Sequence, residues 1–565
     1  MMKQLIECVP NFSEGRDPAV LKAITDAIES VEGVKLLDVD PGKATHRTVV
    51  TFVGEPAPVV EAAFRAIRTA GELIDMSKHS GEHPRMGATD VCPLIPVSNI
   101  SMKETAKWAH QLAERVGREL DLPVYCYEAA ATRPERQNLA DIRAGEYEGL
   151  PDKITRPEWK PDYGPARFDA KRGATVIGAR DFLIAYNINL NTTSVRRANS
   201  VAFDVREKGR VLNDPATGKP MKDASGEPLR QPGVLKDVKA IGWFIEEYGI
   251  AQVSMNLTNI RNTPLYLAFE ECCKSADRRG MRVTGSELVG LVPLEVMLEA
   301  GRYFLKKQQR SAGVSEEELI KIAVKSMGLD ELSPFDPQRK IIEYNLAAAD
   351  PGEAKLLIKK NLREFANETA AESPAPGGGS VSAYVGALGV SLATMVANLS
   401  SHKRGWDERW DHFGQAAERG QQLKDALLRA VDEDTAAFNA IMAAFGLPKG
   451  TPEEKYARSQ AIQEATVGAI KVPLKVMRLA LESFGLIREM VAEGNPNSVT
   501  DAGVGALCAR TAVHGAWLNV KVNALGLSDK DYARTVTEEA ERMAEKATAL
   551  EAEIVGLVHE RVMLT

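Results

Sequence analysis

Two histidines stand four residues apart in DMSKHSGEHPRMGATDVCPLIPV, residues 75–97. His79 and His83 are two of only eight histidines in the chain. Histidine titrates near neutral pH, so such a pair is typical of general acid/base catalysis. Gly81 between them and Pro84 after them disfavour a helix, so the spacing does not indicate the two-histidine face of a zinc protease. On these residues alone either histidine is a candidate, and a structural pair is the alternative.

Charged residues that suit a polar substrate lie close to this segment in sequence. Asp38 and Asp40 alternate along LLDVD, so they face the same side of a predicted strand. Arg47, Lys78 and Arg85 are the neighbouring cations, and Arg85 is a candidate partner for a substrate carboxylate. A solvated surface charge is the alternative for each cation.

A second group of candidates lies in the C-terminal part of the chain. Asp434 in VDEDTAAF precedes the apolar Phe438 by one helical turn, which indicates a partly buried stripe and an acid with a raised pKa. APGGGS, residues 375–380, begins an apolar helix and could offer backbone N–H groups to an anion or a polar ring. Tight helix packing is the alternative. The second-site candidates are Gly377, Gly378, Gly379 and Asp501.

Proline usage divides the chain into two regions. Of 29 prolines, 23 lie in residues 1–351 and six in residues 352–565. In the second region apolar residues recur every three or four positions, and this period predicts helices. We predict an all-α helical bundle over 356–565, joined to the first region by a linker at 346–355.

The first region alternates predicted strands and helices. Its opening third follows the order βαββαβ, and the same order recurs from residue 181. We therefore predict duplicated ferredoxin-like α/β subdomains over 1–180 and 181–345. The polar segment at 207–237 is predicted to be a mobile surface excursion, with a flap over the active cleft as the alternative.

Composition narrows the functional classes. Lys and Arg number 71 against 78 Asp and Glu, a net charge of −7 that argues against a general nucleic-acid binder. We expect no signal peptide and no membrane-spanning segment. Six cysteines without a CxxC pair indicate neither a disulfide scaffold nor a zinc site, so we expect a cytoplasmic protein without a metal.

Several segments resemble known enzymes. MSKHSGEHPRMGATDVCPLIPV and ECVPNFSEGR closely resemble the core motifs of glutamate formimidoyltransferases. LLDVDPGKATHRTVVTFVG, IRAGEYEGL, DYGPARFDAKRGATVIGARDFLIAYNINL and GSELVGLVPL extend this match over most of residues 3–345. SPAPGGGSVSAYVGALG, AVDEDTAAFNAIMAAFGLPKGTPEEK and GNPNSVTDAGVGA resemble formimidoyltetrahydrofolate cyclodeaminases. The whole chain thus resembles the bifunctional formimidoyltransferase-cyclodeaminase family.

The resemblance implies two reactions. In the first, a formimino group moves from N-formimino-L-glutamate to N5 of tetrahydrofolate, which is a co-substrate carrying a polyglutamate tail, and L-glutamate leaves. His83 is the implied acid/base, and Asp40 and Arg85 are further substrate-binding candidates. The residues implied to bind folate are Gly164, Pro165, Ala166, Arg167, Phe168, Asp169, Ala170, Lys171, Arg172 and Gly173.

In the second implied reaction, N10 of 5-formiminotetrahydrofolate closes onto the formimino carbon. Ammonia leaves and 5,10-methenyltetrahydrofolate forms. The amidine nitrogen must be protonated before it departs, and the resemblance makes Asp434 the catalytic acid.

The resemblance also implies a place in histidine degradation and a homo-oligomer, which is a ring-like octamer in this family. Nucleic acid and membrane are not among the expected partners. Three alternatives stay open: a formyl instead of a formimino donor, a helical domain that is a methenyl cyclohydrolase, and a helical domain that serves only oligomerisation. His46 stands in THRT where other members have a small amide residue, and whether His46 or His79 assists His83 is also open.

Overall fold

A computed structural model describes residues 4–42, 46–81, 84–223, 225–349, 355–373 and 375–563. Glu82 and the predicted acid/base His83 lie outside the described residues, as do 350–354 of the predicted linker. The chain forms two compact units. Unit 1 comprises Met1–Val296 and Met327–Ala347, and unit 2 comprises Met297–Ser326 and Ala348–Thr565.

The strands all belong to unit 1. They are β1 (Leu5–Cys8), β2 (Asn11–Phe12), β3 (Val34–Gly42), β4 (Arg47–Gly54), β5 (Thr89–Ser98), β6 (Val124–Glu128), β7 (Thr175–Ala179), β8 (Ile184–Leu190), β9 (Arg210–Val211), β10 (Arg230–Gln231), β11 (Val238–Ile245), β12 (Ile250–Leu257) and β13 (Val283–Val289).

The helices occur in both units. They are α1 (Pro18–Glu29), α2 (Pro56–Leu73), α3 (Met102–Glu119), α4 (Leu139–Arg143), α5 (Glu146–Lys153), α6 (Val195–Val205), α7 (Leu265–Asp277), α8 (Leu294–Lys307), α9 (Glu316–Met327), α10 (Pro337–Lys340), α11 (Ile342–Ala349), α12 (Leu362–Thr369), α13 (Gly378–Ser401), α14 (Trp410–Phe445), α15 (Pro452–Glu493), α16 (Val499–Leu525) and α17 (Lys530–Met563).

The first sheet has seven strands in the order β3-β4-β1/β2-β5-β7-β6, and β1 and β2 occupy one position in succession. Pairing is antiparallel except where β7 pairs with β5 and β6. Helices α1, α2 and α3 cover one face, where Ile6, Cys8 and Phe52 are fully buried. The opposite face carries the alternate side chains of the same strands, because successive residues of a strand point to opposite sides.

The second sheet has four antiparallel strands in the order β11-β12-β8-β13. Helix α6 packs against β11 and β12, and α7 against β8 and β13. In both sheets the four strands of the predicted βαββαβ order are arranged in the same way. The strand that comes second in sequence lies at the edge, and the third, the first and the fourth follow it across the sheet. The first sheet adds β6 and β7 beyond this arrangement.

Unit 2 is helical, as the periodicity predicts. Helices α13 to α17 pack around a core rich in alanine, and α13 lies between α14 and α16. Over its 24 residues α13 has no charged side chain, and its most apolar stretch has a mean hydropathy of 1.6. It is therefore long and apolar enough to span a membrane, although no such segment is expected from the sequence. Because 61% of that stretch is buried inside the protein, the same composition also suits a core helix.

One predicted domain boundary differs from the observed contacts. Residues 297–326 pack with the helical unit and not with the second α/β subdomain.

The polar segment at 207–237 forms a small exposed ladder, in which β9 pairs with β10 and Asn213 bridges Pro220. None of the described residues of this segment lines the cleft on the open face of the first sheet, so the structure does not support the alternative that the segment is a flap over the active cleft.

Candidate active sites

The open face of the first sheet forms one side of a cleft of about 700 Å³ within unit 1. Strands β8, β11, β12 and the end of β13 contribute the other side. The residues that line the cleft include Glu7, Val9, Asn11, Asp38, Asp40, Arg47, Pro84, Pro93, Tyr127, Arg143, Glu146, Arg180 and Lys239.

Strand register gives the floor of this cleft an order. Asn11 pairs with Val49 and Val91 at one end. Glu7 pairs with Val53 and Ile95 at the other. These two rows are four residues apart, or roughly 13 Å. Pro84, the residue after the predicted acid/base, lies before β5 and therefore toward the Asn11 end.

Asp38 and Asp40 line the cleft together, as their alternation predicts. Asp40 pairs with Val49 and so lies in the Asn11 row, whereas Asp38 pairs with Thr51, midway between the Asn11 row and the Glu7 row. Burial raises the pKa of Asp38, and the charge of Asp40 raises it further, while Lys340 opposes the shift.

Glu7 is the most deeply placed acid of the floor. Its side chain faces the cleft from the middle of an apolar strand and is only 3% exposed. Burial raises its pKa to about 7, although the charge of Arg180 opposes the shift. Among the residues that the structure describes, no hydrogen bond or ion pair to Glu7 is found.

Four cations line the cleft and could hold the carboxylates of a substrate. Arg47 is largely buried, and burial lowers its pKa to about 10. Arg143 forms an ion pair with the buried Asp90. Arg180 and Lys239 stand near the Glu7 end, since the charges of both act on Glu128.

Both ring nitrogens of His79 are occupied. Nε2 donates to the backbone oxygen of His46 at 2.9 Å, and Nδ1 accepts from Nε of Arg85 at 3.3 Å. This pattern requires the neutral ring with its proton on Nε2. Burial lowers the pKa of His79, and the charges of His46 and Arg85 lower it further. In this arrangement neither ring nitrogen of His79 is open to a substrate, which favours the structural one of the two interpretations that the sequence left open.

His46 stacks on His79, with ring centroids 4.3 Å apart. Its Nδ1 donates to the backbone oxygen of Ser80, and its Nε2 donates to Glu14 at 3.2 Å. Both ring nitrogens of His46 are thus engaged by groups of the protein itself. Through these contacts His46 ties the Ser80 segment to the loop at Glu14.

Arg85 is already saturated inside the protein. Its guanidinium forms two hydrogen bonds to Glu148 and one to Glu146. These partners raise its pKa. The predicted pairing of Arg85 with a substrate carboxylate is thus replaced by an internal network. Lys78 pairs with Asp75 at the surface and does not line the cleft.

The predicted folate segment, residues 164–173, lies against the histidine segment and does not line the cleft. The backbone oxygen of Lys171 accepts from Met76 N, and that of Arg172 accepts from Ala88 N. The charged side chains are engaged: Arg167 pairs with Asp121, and Arg172 with Asp169. A role in folate binding stays a prediction.

Sequence reasoning missed several cleft residues, notably Glu7, Arg143, Arg180 and Lys239. Glu7 could have been identified from the sequence, because burying an acid of the apolar strand LIEC in a core is costly and so indicates a functional site. The sequence does not indicate the three cations, because they reach the cleft only through strand pairing and through contacts distant in sequence.

In unit 2, Asp434 lies against the first turn of α13. Ser380 donates to its carboxylate from the side chain, at 3.0 Å, and from the backbone N–H. Burial nevertheless raises the pKa of Asp434, as the sequence predicted. A raised pKa increases the protonated fraction of a carboxyl at a given pH, and the protonated form can donate a proton to a leaving group.

The neighbouring acids of Asp434 have structural partners. Asp432 accepts from the backbone N–H of Leu357 at 2.7 Å. Glu433 forms an ion pair with Lys475 at 2.7 Å. Of the three consecutive acids, Asp434 is therefore the one best suited to chemistry.

The glycine segment places the helix start close to Asp434. A Cβ at Gly379 would lie 2.2 Å from Oδ1 of Asp434, so only glycine permits this approach. Gly377 is the N-cap of α13, and Gly378 lies beside Asn519 of α16. Asp501 is in the first turn of α16, 18 residues before Asn519 and thus roughly 27 Å away along the helix. The structure does not bring Asp501 to Asp434.

Within 4–42, 46–81, 84–223, 225–349, 355–373 and 375–563, no group of three or more His, Cys, Asp or Glu side chains could hold a metal ion.

Both units match known protein families. A family model described as "Formiminotransferase domain, N-terminal subdomain" matches residues 5–180, and one described as "Formiminotransferase domain" matches residues 185–347. A third, described as "Formiminotransferase-cyclodeaminase", matches residues 361–542. A formimidoyltransferase-cyclodeaminase of Mus musculus is 43% identical over 560 residues, which cover 99% of this chain and 100% of that protein. The chain belongs to the formimidoyltransferase-cyclodeaminase family.

Shorter proteins match parts of this family member. A glutamate formimidoyltransferase of Streptococcus pyogenes serotype M1 is 41% identical over 305 residues, covering 54% of this chain and 94% of that protein. A methenyltetrahydrofolate cyclohydrolase of Methylorubrum extorquens is 38% identical over 203 residues, covering 36% of this chain and 98% of that protein.

Replacing Glu7 with glutamine should make stability less dependent on pH. The folded carboxyl has a pKa of about 7 against an ordinary 4.5, so the folded protein keeps a proton that the unfolded chain loses in this window. Stability therefore falls as pH rises through it. We expect Glu7→Gln to gain up to roughly 3 kcal/mol over the unchanged protein at pH 8, and little at pH 5. Urea unfolding at both pH values measures this, and an equal gain at both would contradict it.

Gly379→Ala should disable the site at Asp434. The new methyl group must push the carboxylate away from Ser380, and a displacement of about 1 Å can cost on the order of 100-fold in rate. Gly485→Ala is the matched control, because nothing lies within 4 Å of its Cβ. Rates of methenyltetrahydrofolate formation from 5-formiminotetrahydrofolate measure the effect. Equal rates in the two variants would show that the close approach has no role in catalysis.

Proposed function

We propose that the chain is a bifunctional folate enzyme of histidine degradation. Unit 1 transfers the formimino group of N-formimino-L-glutamate to N5 of tetrahydrofolate and releases L-glutamate. Unit 2 converts the resulting 5-formiminotetrahydrofolate into 5,10-methenyltetrahydrofolate and ammonia. The proposal rests on the occurrence, in one chain, of two separate units that each match their own family model.

The transferase step needs a group that carries one proton. N5 of tetrahydrofolate attacks the formimino carbon and loses a proton, and the glutamate nitrogen gains one as its bond to that carbon breaks. An imidazole suits both events. We assign this role to His83. The occupied nitrogens of His79 and His46 support the assignment, and so does the place of the adjacent Pro84 in the cleft wall.

The cleft suits the two substrates. Valine and proline side chains of the floor can pack on a flat ring, while Arg47, Arg180 and Lys239 can neutralise carboxylates. Asp40 lies toward the reacting end and could orient the imidazole, and Asp38 lies beside it at the middle of the cleft. The folate tail is expected to reach residues 164–173.

The second step needs an acid. N10 attacks the formimino carbon, and the amidine nitrogen leaves as ammonia once Asp434 has protonated it. The raised pKa of Asp434 supports this role. Neither step requires a metal in this proposal.

A methenyl cyclohydrolase is the second candidate for unit 2, because the Methylorubrum extorquens relative has that name. The two readings differ in product. A cyclodeaminase releases one ammonia per methenyl group formed, whereas a cyclohydrolase consumes 5,10-methenyltetrahydrofolate and releases no ammonia.

Further properties of the family member are proposals as well. The predicted segments 1–180 and 181–345 would form duplicated ferredoxin-like subdomains, apart from residues 297–326, which belong to unit 2, and the shared strand order supports this duplication. Homo-oligomerisation is supported by exposed apolar side chains of α16, such as Leu518, Val522 and Leu525. A reducing cytoplasm suits the six free cysteines.

His83→Ala should remove formimino transfer and leave deamination of supplied 5-formiminotetrahydrofolate intact. Removing an acid/base group typically costs about 10²–10⁴-fold, and unit 2 has its own core. Release of L-glutamate and of ammonia, measured separately, tests this. His79→Ala is the control for a structural histidine and should lower protein stability as well as rate. Unchanged transfer in His83→Ala would refute the assignment.

Asp434→Asn should stop the second reaction while the first continues, so that 5-formiminotetrahydrofolate accumulates. The amide keeps the shape of the acid but cannot supply its proton. Methenyl absorbance and ammonia are followed together after mixing protein, tetrahydrofolate and formiminoglutamate. Wild-type rates of the second reaction in Asp434→Asn would show that Asp434 is not its catalytic acid. Loss of both activities with aggregation would make Asp434 structural.

A further inference from the structure

Glu7 is a buried acid that the reaction steps above do not use. It is 3% exposed, lines the cleft, and has no hydrogen-bond or ion-pair partner within the described part of the chain. A buried carboxyl without a partner lowers stability. Such a cost is common where a residue is kept for binding a ligand. The cleft is the place from which that ligand would come.

Arg180 stands beside Glu7 and completes a recognition pattern. Its charge acts on Glu7, and both side chains line the cleft, yet no ion pair joins them among the described residues. Arg180 also donates to the backbone oxygen of Asp181 and hydrogen-bonds Tyr127, which fixes its position. A carboxylate accepts two parallel N–H donors, and a guanidinium donates. The pair therefore fits a planar edge that presents two donors followed by one acceptor.

The 2-amino-4-oxo edge of a reduced pterin has this sequence of groups. Its 2-amino group and N3–H are two adjacent donors, and its O4 is an acceptor. We infer that Glu7 binds the 2-amino group and N3–H of the pterin, with Arg180 directed at O4. This inference rests on the proposed folate chemistry of unit 1 and names a residue that recognises the folate ring.

Position along the cleft favours the pterin over the formimino donor. The donor's amidine also has two N–H groups, but it must lie where the reaction occurs, toward Pro84 and the Asn11 row. Glu7 is roughly 13 Å from that row along the sheet. The 2-amino end of the pterin is the end remote from N5, so it extends away from the reacting carbon. Val9 and Pro93 lie between the two ends and offer an apolar floor for the ring.

Charge balance is consistent with this arrangement. Without ligand, burial raises the pKa of Glu7 to about 7, so roughly half of the carboxyl is protonated at neutral pH. Two N–H donors favour the carboxylate form, so binding of the pterin should release the proton. Binding should therefore strengthen as pH rises from 6 to 8.

The test uses two inhibitors of formimino transfer, with L-glutamate release as the readout in the full chain. One is 5-formyltetrahydrofolate, and the other is the same molecule with hydrogen in place of the 2-amino group. Unit 2 releases no glutamate, so this readout reports unit 1. We expect the unchanged protein to bind the 2-desamino analogue roughly 10- to 100-fold more weakly, as for hydrogen bonds to a charged group.

The variants are Glu7→Gln, Glu7→Met and, as a second cleft acid, Glu146→Gln. Glu7→Met should bring the two inhibition constants within about three-fold of each other, and Glu7→Gln should fall between. Glu146→Gln should keep the full discrimination, because Glu146 is paired with Arg85 and not with the ring. Since Glu7 has no partner in the described structure, both Glu7 variants should melt at or above the temperature of the unchanged protein.

Three results would overturn the inference. They are full discrimination in Glu7→Met, lost discrimination in Glu146→Gln alone, and, in the Glu7 variants, a raised KM for formiminoglutamate with unchanged inhibition by 5-formyltetrahydrofolate. In each case the unchanged protein still transfers the formimino group, so the proposed function stands. Absence of glutamate release by the unchanged protein would instead overturn the proposed function and this inference with it.

Discussion

The transferase site depends on one constraint, which is that a strand presents its side chains alternately to its two faces. Along β1, Ile6 and Cys8 enter the core under α1–α3, while Glu7 and Val9 face the cleft. The covered face supplies the stability, and the open face is left for ligand. A shift of one residue in the register of β1 would exchange the two sets and destroy both the core and the floor.

The same constraint explains which parts of the site could be predicted from the sequence. Asp38 and Asp40 could be placed on one face because alternation is a local property, and the structure confirms that both line the cleft. The order of strands and helices was visible for the same reason. Arg180 and Lys239 could not be found, since their approach to Glu7 depends on how separate strands pack. Nor could the sequence show that Arg85 is occupied by Glu146 and Glu148.

The helical site depends on a different constraint, a close approach. Asp434 touches the start of α13 because Gly379 has no side chain, and Ser380 then donates to its carboxylate. The sequence predicted that APGGGS would expose backbone N–H groups. The structure shows that one partner of that helix start is a side chain of the protein itself. Asp501 lies far from this cluster. It is in the first turn of α16, whereas the residue of α16 that lies beside Gly378 is Asn519, near the other end of the helix.

The central claim is that the cleft on the open face of the first sheet holds the folate ring. A crystal structure of the full chain with 5-formyltetrahydrofolate tests it most directly. The account predicts ring density over Val9 and Pro93, with the 2-amino edge at Glu7 and the N5 side toward Pro84. A ring bound at residues 164–173 or elsewhere, with the cleft free of ligand, would contradict it.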